Sequence, residues 1–465
     1  MIKQVLTHDY LAARAGWLST QLVDGNVASA QADLPEGEPP SREELEAVRE
    51  RLVQVAENGP DAHLDEEYPA TPLADGGQAL PGLAHVAYFA RDRFTSLLQS
   101  ALEAYFDEHA PDVVEEPPEP AGQSLAPDEV PLPDPVTDRA LAIADEQDQL
   151  LGAYEITDPG WVNSVLAMGW RSLRKRHPFK ADRPRPRPLA RDARLVLVGD
   201  WGSGIPRARN VADAMRKIIQ PDIGRREQHV IHLGDVYYSG WKREYDRNFL
   251  AYWPVAPGEP VGSWALNGNH DMYSGGHGYF GHLLRDPRFA EHDGSSWFSL
   301  ENDDWQLLGL DTAYDDHALE DPQGAWVAEK LRSNPDRRTI LLSHHQLFSA
   351  YGSDGPKLRE KLREPLASGR VDAWFWGHEH RCVLYEDGYE NVGKARLIGH
   401  GGVPVYAHDE PIAPPVRYQL TRSFATGWEE WALMGFAVLE LSGRRADVRY
   451  FDEWGNEIKE IAEVL

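Results

Sequence analysis

The sequence predicts an α/β fold with two sheets behind a mainly helical N-terminal region, and three observations carry that prediction. Apolar runs at 195–198, 230–233, 263–266, 340–342 and 373–376 read as buried strands. Each ends in a polar turn and most are followed by a helical stretch. Asp200, Asp235 and Asn269 come at intervals of 35 and 34 residues, and His344 and His378 at 34. One strand–helix–strand unit spans roughly 30 residues or more. Beyond residue 427 the pattern changes to a strand pair, 436–441 and 446–451, joined by a Ser442-Gly443 turn. That pair is expected to complete a second sheet packed on the first.

At 465 residues the chain exceeds what one core usually supports, which divides it at about residue 190. In the region 1–190, Ser41-Arg42-Glu43-Glu44 is a capping box opening a helix through about residue 56. In a longer helix, 83–109, Val86, Phe89, Arg93, Phe94, Leu97, Leu98, Ala101, Leu102, Tyr105 and Phe106 largely follow the i, i+3, i+4 pattern of one buried face. Residues 115–135 are rich in Pro and acidic residues and read as extended. A third helical stretch covers 137–151, and the Arg/Pro run of 171–191 reads as a linker. The one-faced helix requires a partner surface: either the pocket, as a lid, or a second copy in a homo-oligomer. In the region 191–465, helices are expected at 210–219, 244–253, 326–331 and 356–366.

Charge narrows the partners. Forty-seven basic against 75 acidic residues leave a formal charge of −28, which opposes binding to nucleic acid or to an anionic membrane at long range. No apolar stretch reaches the roughly 18 residues of a membrane span, and the first ten residues show no apolar signal segment. The lone cysteine, Cys382, excludes an intrachain disulfide and suits a reducing compartment. The expectation is a cytoplasmic protein acting on a small molecule.

The strand-end turns carry the chemistry. They are Gly199-Asp200-Trp201-Gly202, Gly234-Asp235-Val236-Tyr237-Tyr238, Gly268-Asn269-His270-Asp271, Ser343-His344-His345 and Gly377-His378-Glu379-His380. Ligands of open α/β sheets bind outside the carboxyl ends of the strands, so five such turns converge on one spot. A carboxylate ending a buried run is costly unless it is paired or metal-bound. Any one Gly-Asp pair alone is a helix cap. Two at matched spacing, with Asn-His and two further His-bearing strand ends, make a donor set able to hold two cations sharing one carboxylate. His344 directly follows the apolar run and Ser343 and is taken as the ligand of its pair, with His345 a substrate contact or structural. The glycines of 199–204 do not have the dinucleotide spacing and no Gly-Lys-Ser/Thr follows them. A structural zinc site would call for cysteines.

These turns resemble the calcineurin-like metallophosphoesterase superfamily, most closely the purple acid phosphatases. The superfamily opens with Asp-x-His, whereas Gly202 stands at that third position here. The purple acid phosphatase pattern supplies instead a Tyr three residues after the bridging Asp, and Tyr238 occupies that place. The resemblance implies a four-layer αββα sandwich of two mixed sheets. It implies a first ion on Asp200, Tyr238 and His380, a second on Asn269, His344 and His378, and Asp235 bridging them. The phenolate favours Fe(III), with Fe, Zn or Mn at the other position, and Mn–Mn is also compatible. His270 would protonate the departing oxygen and Asp271 would tune it. The implied activity is phosphomonoester hydrolysis by metal-activated hydroxide attack. The runner-up is a phosphodiesterase acting on cyclic nucleotides or other small diesters. A reading from a different class is a regulatory module that only binds a phosphate ligand. Trp201, His277, Tyr279, His345, Tyr351 and His400, in turns near the strand ends, are candidate substrate contacts.

Overall fold

The computed structural model describes residues 176–465 apart from 238, 316, 351–354, 405–415, 421–422 and 427–428. The helices expected within 1–151, and their lid or oligomer role, lie outside the described residues. In chain order the strands are β1 (Arg187–Pro188), β2 (Arg194–Val198), β3 (Gln228–His232), β4 (Gly262–Ala265), β5 (Phe298–Glu301), β6 (Trp305–Gly309), β7 (Arg338–Leu342) and β8 (Val371–Trp376). They continue as β9 (Cys382–Tyr385), β10 (Val392–Ile398), β11 (Val416–Gln419), β12 (Ser423–Thr426), β13 (Glu429–Ala432), β14 (Gly435–Ser442), β15 (Arg445–Asp452) and β16 (Glu463–Val464). Six form one mixed sheet in the order β16-β15-β14-β2-β3-β4, and eight form the other in the order β1-β5-β6-β7-β8-β10-β9-β11. The fold is an α/β arrangement of two mixed sheets.

Alternation along each strand builds the layers. On β2, Val196 and Val198 face helix α1 (Pro206–Ile219), packing on Val211 and Met215, while Leu195 and Leu197 face the second sheet. On β7 and β8, Ile340, Leu342, Ala373 and Phe375 meet that central layer. Leu341 and Trp374 face outward onto helix α2 (Gln323–Ser333), through Trp326, Val327 and Leu331. Three apolar layers thus separate helix, sheet, sheet and helix.

Two expectations change. The tail hairpin does not found the second sheet: β14 pairs antiparallel with β2, from Ala437↔Leu197 to Glu440↔Arg194. Its alternation explains the placement, since Phe436 and Val438 face the α1 layer and Ala437, Leu439 and Leu441 the central one. The second sheet is built instead around β5 to β8. The run read as a linker is, from Arg176 on, packed onto the domain. Phe179 lies 5.1 Å from the Tyr314 ring, and Trp297 donates its indole N–H to Lys180 O at 2.9 Å. Arg183 and Arg187 pair with Glu329 and Glu291 at 2.7 and 2.9 Å. Strand β1 pairs with β5 at the sheet edge, where proline is tolerated because no ladder donor is missed.

His292 gives the fold a pH dependence away from the strand-end turns. Its buried ring accepts the Ala265 N–H at Nε2 (3.0 Å), and Nδ1 donates to Ser295 O (2.8 Å). Burial pulls its pKa down from 6.5 to about 4. The unfolded chain therefore binds the proton first as pH falls, so stability is complete above pH 6.5 and declines toward pH 4. The decline amounts to about 3 kcal/mol. A Gln side chain can replace both hydrogen bonds without titrating. Urea midpoints from pH 7 to 5 should therefore fall less in His292→Gln than in the parent; equal falls would contradict the assignment.

Candidate metal centre

The carboxyl ends of β2, β3 and β4, aligned by their parallel register, present Asp200, Asp235 and Asn269. Those of β7 and β8, also parallel, present His344, His378 and His380. Three ends come from one sheet and two from the other, so the turns meet where the two sheets face each other. The turns need unusual backbone. Asp200 (φ 55°), Asp235 (φ 75°), His378 (φ 75°) and His380 (φ 40°) all occupy the left-handed region. Such residues cost of order 1–3 kcal/mol each and cluster at functional sites. Four of the eight such non-glycine positions among the described residues fall in this one place.

Asp235 joins two donor clusters. On one side the Tyr237 hydroxyl lies 3.1 Å from Asp200 Oδ1, 3.2 Å from Asp235 Oδ2 and 3.0 Å from His380 Nε2. On the other, His344 Nε2 lies 2.9 Å from Asn269 Oδ1 and 3.4 Å from Asp235 Oδ2. His378 Nδ1 completes this side, 3.0 Å from Asn269 Oδ1 and 3.2 Å from His344 Nε2. The orienting contacts suit ligation. His344 Nδ1 donates to Leu233 O at 3.0 Å, which leaves Nε2 as the lone-pair nitrogen. Asn269 Nδ2 donates to Tyr273 Oη at 2.7 Å, so the amide oxygen points inward.

Electrostatics shows what this cradle would attract. Asp200 and Asp235 are fully buried, and a Cβ at Gly377 or Gly268 would overlap their oxygens. Burial, followed by the Asp235 charge among the groups acting in the same direction, raises the Asp200 pKa. Burial also opposes charge on Asp235, yet His344 and His270 hold its carboxyl well below the usual range. At His344 burial works against protonation, but Asp235 and Asp200 carry the pKa to about 9. Burial and then the two carboxylates hold the Tyr237 phenol well above its ordinary value. Two anions that draw a proton onto a buried imidazole would draw a cation more strongly, so the donor set fits a pair of ions: Asp200, Tyr237 and His380 for one, Asn269, His344 and His378 for the other, and Asp235 for both.

The other expected residues fall in varied places. Tyr238 lies outside the described residues; the phenol standing between Asp200, Asp235 and His380 is that of Tyr237. Gly202 clarifies the missing imidazole. A Cβ there would stand 2.7 Å from Asp235 O and from Val236 Cγ2, so a histidine has no room. His270 donates its backbone N–H to Asp235 Oδ1 at 3.0 Å, and its ring packs between Tyr237 (4.6 Å) and Tyr273 (4.7 Å).

Asp271 positions the Asp235 turn. Its oxygens accept from Asp235 N (2.9 Å), Val236 N (3.1 Å), Gly268 N (2.6 Å) and the Tyr245 hydroxyl, which fixes the Asp235 turn. Trp201 and Tyr279 sit in the interior, with the Trp201 indole donating to Ala208 O (2.6 Å) and the Tyr279 hydroxyl to Ala265 O (2.7 Å). His400 is buried with its ring against Gly435, where a Cβ would stand 2.9 Å from Nε2. His277 packs edge-on to His177 at 5.8 Å. Tyr351 lies outside the described residues. His345 is buried beside His378, with ring centroids 4.7 Å apart. His317, on the 313–318 turn, was not legible in the sequence because no motif surrounds it, yet its ring lies 3.7 Å from that of His345.

Among the described residues no helix is long and apolar enough to cross a membrane. Solved structures similar to this chain include GAP50, described as the anchor in the inner membrane complex of Plasmodium. That likeness has 14% identity over 57% of this chain and 87% of that one, with a TM-score of 0.41. A predicted phosphoesterase of Streptococcus pneumoniae TIGR4 shows 12% identity over 60% and 98%, TM-score 0.27. A single mutant of Vps29 from Entamoeba histolytica shows 13% over 58% and 98%, TM-score 0.27. Comparison with curated proteins finds no match. Residues 193–382, which contain every donor of the two clusters, match the family model described as calcineurin-like phosphoesterase.

Proposed function

We propose that this chain is a dinuclear metal-dependent phosphoesterase that hydrolyses phosphomonoesters, resembling purple acid phosphatases in using a tyrosine at one ion. The observation that supports it most is the position of Asp235 Oδ2, within 3.4 Å of the donors on either side. One shared carboxylate between an oxygen-rich and an imidazole-rich cluster is what two unlike cations require. Fe(III) belongs on the phenol side and Fe, Zn or Mn on the other. These residues would hold a pair of ions whose chemistry would be to lower the pKa of water and to bind phosphoryl oxygens.

The residues divide the remaining work. Asp235 holds the clusters in register, its Oδ1 fixed by the His270 N–H and its turn by Asp271. His270, braced between two tyrosine rings, gives its proton to the departing oxygen, a contribution of about 10²–10⁴-fold. The buried surround keeps bulk water from competing for the donors. Cys382 is buried on β9, in keeping with a cytoplasmic setting.

The test is protein purified without added salts, assayed with mono- and bis-nitrophenyl phosphate before and after chelation. Faster turnover of the monoester, abolished by the chelator and restored by metal, is the expected result. Preference for the diester would make the chain a phosphodiesterase. Binding of inorganic phosphate by the metal-loaded protein with no turnover of either ester would make it a regulatory module.

A further inference from the structure

Beside the proposed pair, His317, His345 and His378 offer ring nitrogens that all lie within 4.8 Å of one another. The rings converge, with centroid separations of 3.7, 4.7 and 5.3 Å. His345 is fully buried, and its two nitrogens differ in kind. Nδ1 lies 3.0 Å from Thr312 Oγ1, which also accepts the His345 backbone N–H at 3.0 Å. A hydroxyl oxygen can accept two hydrogen bonds, so the tautomer protonated at Nδ1 fits this oxygen and keeps a lone pair on Nε2. Among the described residues Nε2 has no hydrogen-bond partner. A buried polar atom left so costs about 1–3 kcal/mol.

The partner turn is built to bring His317 to it. Asp311 Oδ1 accepts the Ala313 and Tyr314 N–H groups at 3.1 and 2.8 Å, folding the chain back on itself. His317 itself takes a left-handed backbone, φ 57°. The Thr312 that orients His345 belongs to the same turn, so one short segment carries a ring and the group that orients its neighbour.

We propose that His317, His345 and His378 bind a third divalent cation, of the borderline class that prefers imidazole, with zinc the ion of choice. Two neutral imidazoles, with His378 as an imidazolate that gives up its remaining ring proton to solvent when each of its nitrogens holds an ion, leave an open fourth position and make a zinc site of the non-structural type. Around such an ion the nitrogens stand about 3.3 Å apart, inside the 4.8 Å that bounds their separations here. His378, whose Nδ1 faces Asn269, is the imidazole common to this site and the pair. The inference rests on the dinuclear reading only through that shared ring.

The test is an ion count on the full chain, stripped with chelator, reloaded with Zn²⁺, desalted and analysed for total metal. Three ions per chain are expected for the parent. His317→Ala, on a partly exposed turn, and the His317→Ala/His345→Gln double variant should hold two. Asp235→Asn should lose the pair and hold one. An unchanged thermal melt of the chelated variants establishes that they fold. Two ions in the parent and two in both histidine variants would overturn the third site while leaving the pair intact. Loss of two or more ions from His317→Ala would also overturn it, by making these rings ligands of the pair.

Discussion

Asp235→Asn should release both paired ions and reduce phosphomonoester turnover by on the order of 10³-fold or more, since the activated water and the phosphoryl clamp vanish together. The substitution is nearly isosteric, and in the buried turn the amide can still accept the His270 N–H that Oδ1 takes at 3.0 Å. What changes is Oδ2. It stands 3.2 Å from the Tyr237 hydroxyl and 3.4 Å from His344 Nε2, and it is the one anionic atom facing both clusters. An NH₂ group in its place donates toward donors and carries no charge. The fold should persist, because the Asp235 and Val236 N–H groups remain bonded to Asp271. Metal analysis beside an ester assay decides the matter. Full activity with both ions retained would remove Asp235 from the centre, and unchanged ion content with lost turnover would make it a positioning residue.

How far the site could be read from the chain follows from what each signal encodes. Val198, Leu233, Leu266, Leu342 and Trp376 end apolar runs of strand length, and the ligand-bearing turns sit directly after them, so both strands and turns were legible. Which sheet each strand joins was not. Parallel strands buried on both faces look alike in sequence, and only the alternation of Phe436 and Val438 against Ala437 and Leu439 shows, in hindsight, that β14 has two apolar neighbours to satisfy. The Arg/Pro run concealed an edge strand for a different reason: proline at an edge leaves no missing hydrogen bond to betray it. The bonds of Asp271 to the Asp235 turn were not legible, because proximity in sequence to His270 says nothing about direction. A side chain three residues past Gly268 in a first helical turn reaches back to cap it, at 2.6 Å here. His317 had no neighbouring motif, and its significance depends on a turn that folding alone creates.

Tyr237→Phe should bleach the visible absorption of the iron-loaded protein, and Tyr238→Phe should leave it. The spacing of the purple acid phosphatases that the sequence resembles favours the second tyrosine of the pair; local geometry favours the first. The Tyr237 ring is fully buried, wedged 4.6 Å from His270 and 6.0 Å from His380, and its hydroxyl lies within 3.2 Å of two carboxylates and an imidazole. Gly202 makes the position necessary. Its backbone bridges to Val236, so closely that a Cβ would stand 2.7 Å from Val236 Cγ2, and no side chain at position 202 can reach the centre. The gap falls to a neighbour on the Asp235 turn. Burial and both anions resist ionisation of this phenol, so it can bind as phenolate only beside a strongly charged cation, which is why a trivalent ion suits this side. Phe removes the oxygen and keeps the ring. Turnover should drop with the colour, by on the order of 10²-fold for one ligand of several, while the ion held by Asn269, His344 and His378 stays. Visible spectra of the two variants, with iron counted, separate the alternatives. Bleaching in Tyr238→Phe alone would restore the ligand that the purple acid phosphatase spacing implies and make Tyr237 a packing residue.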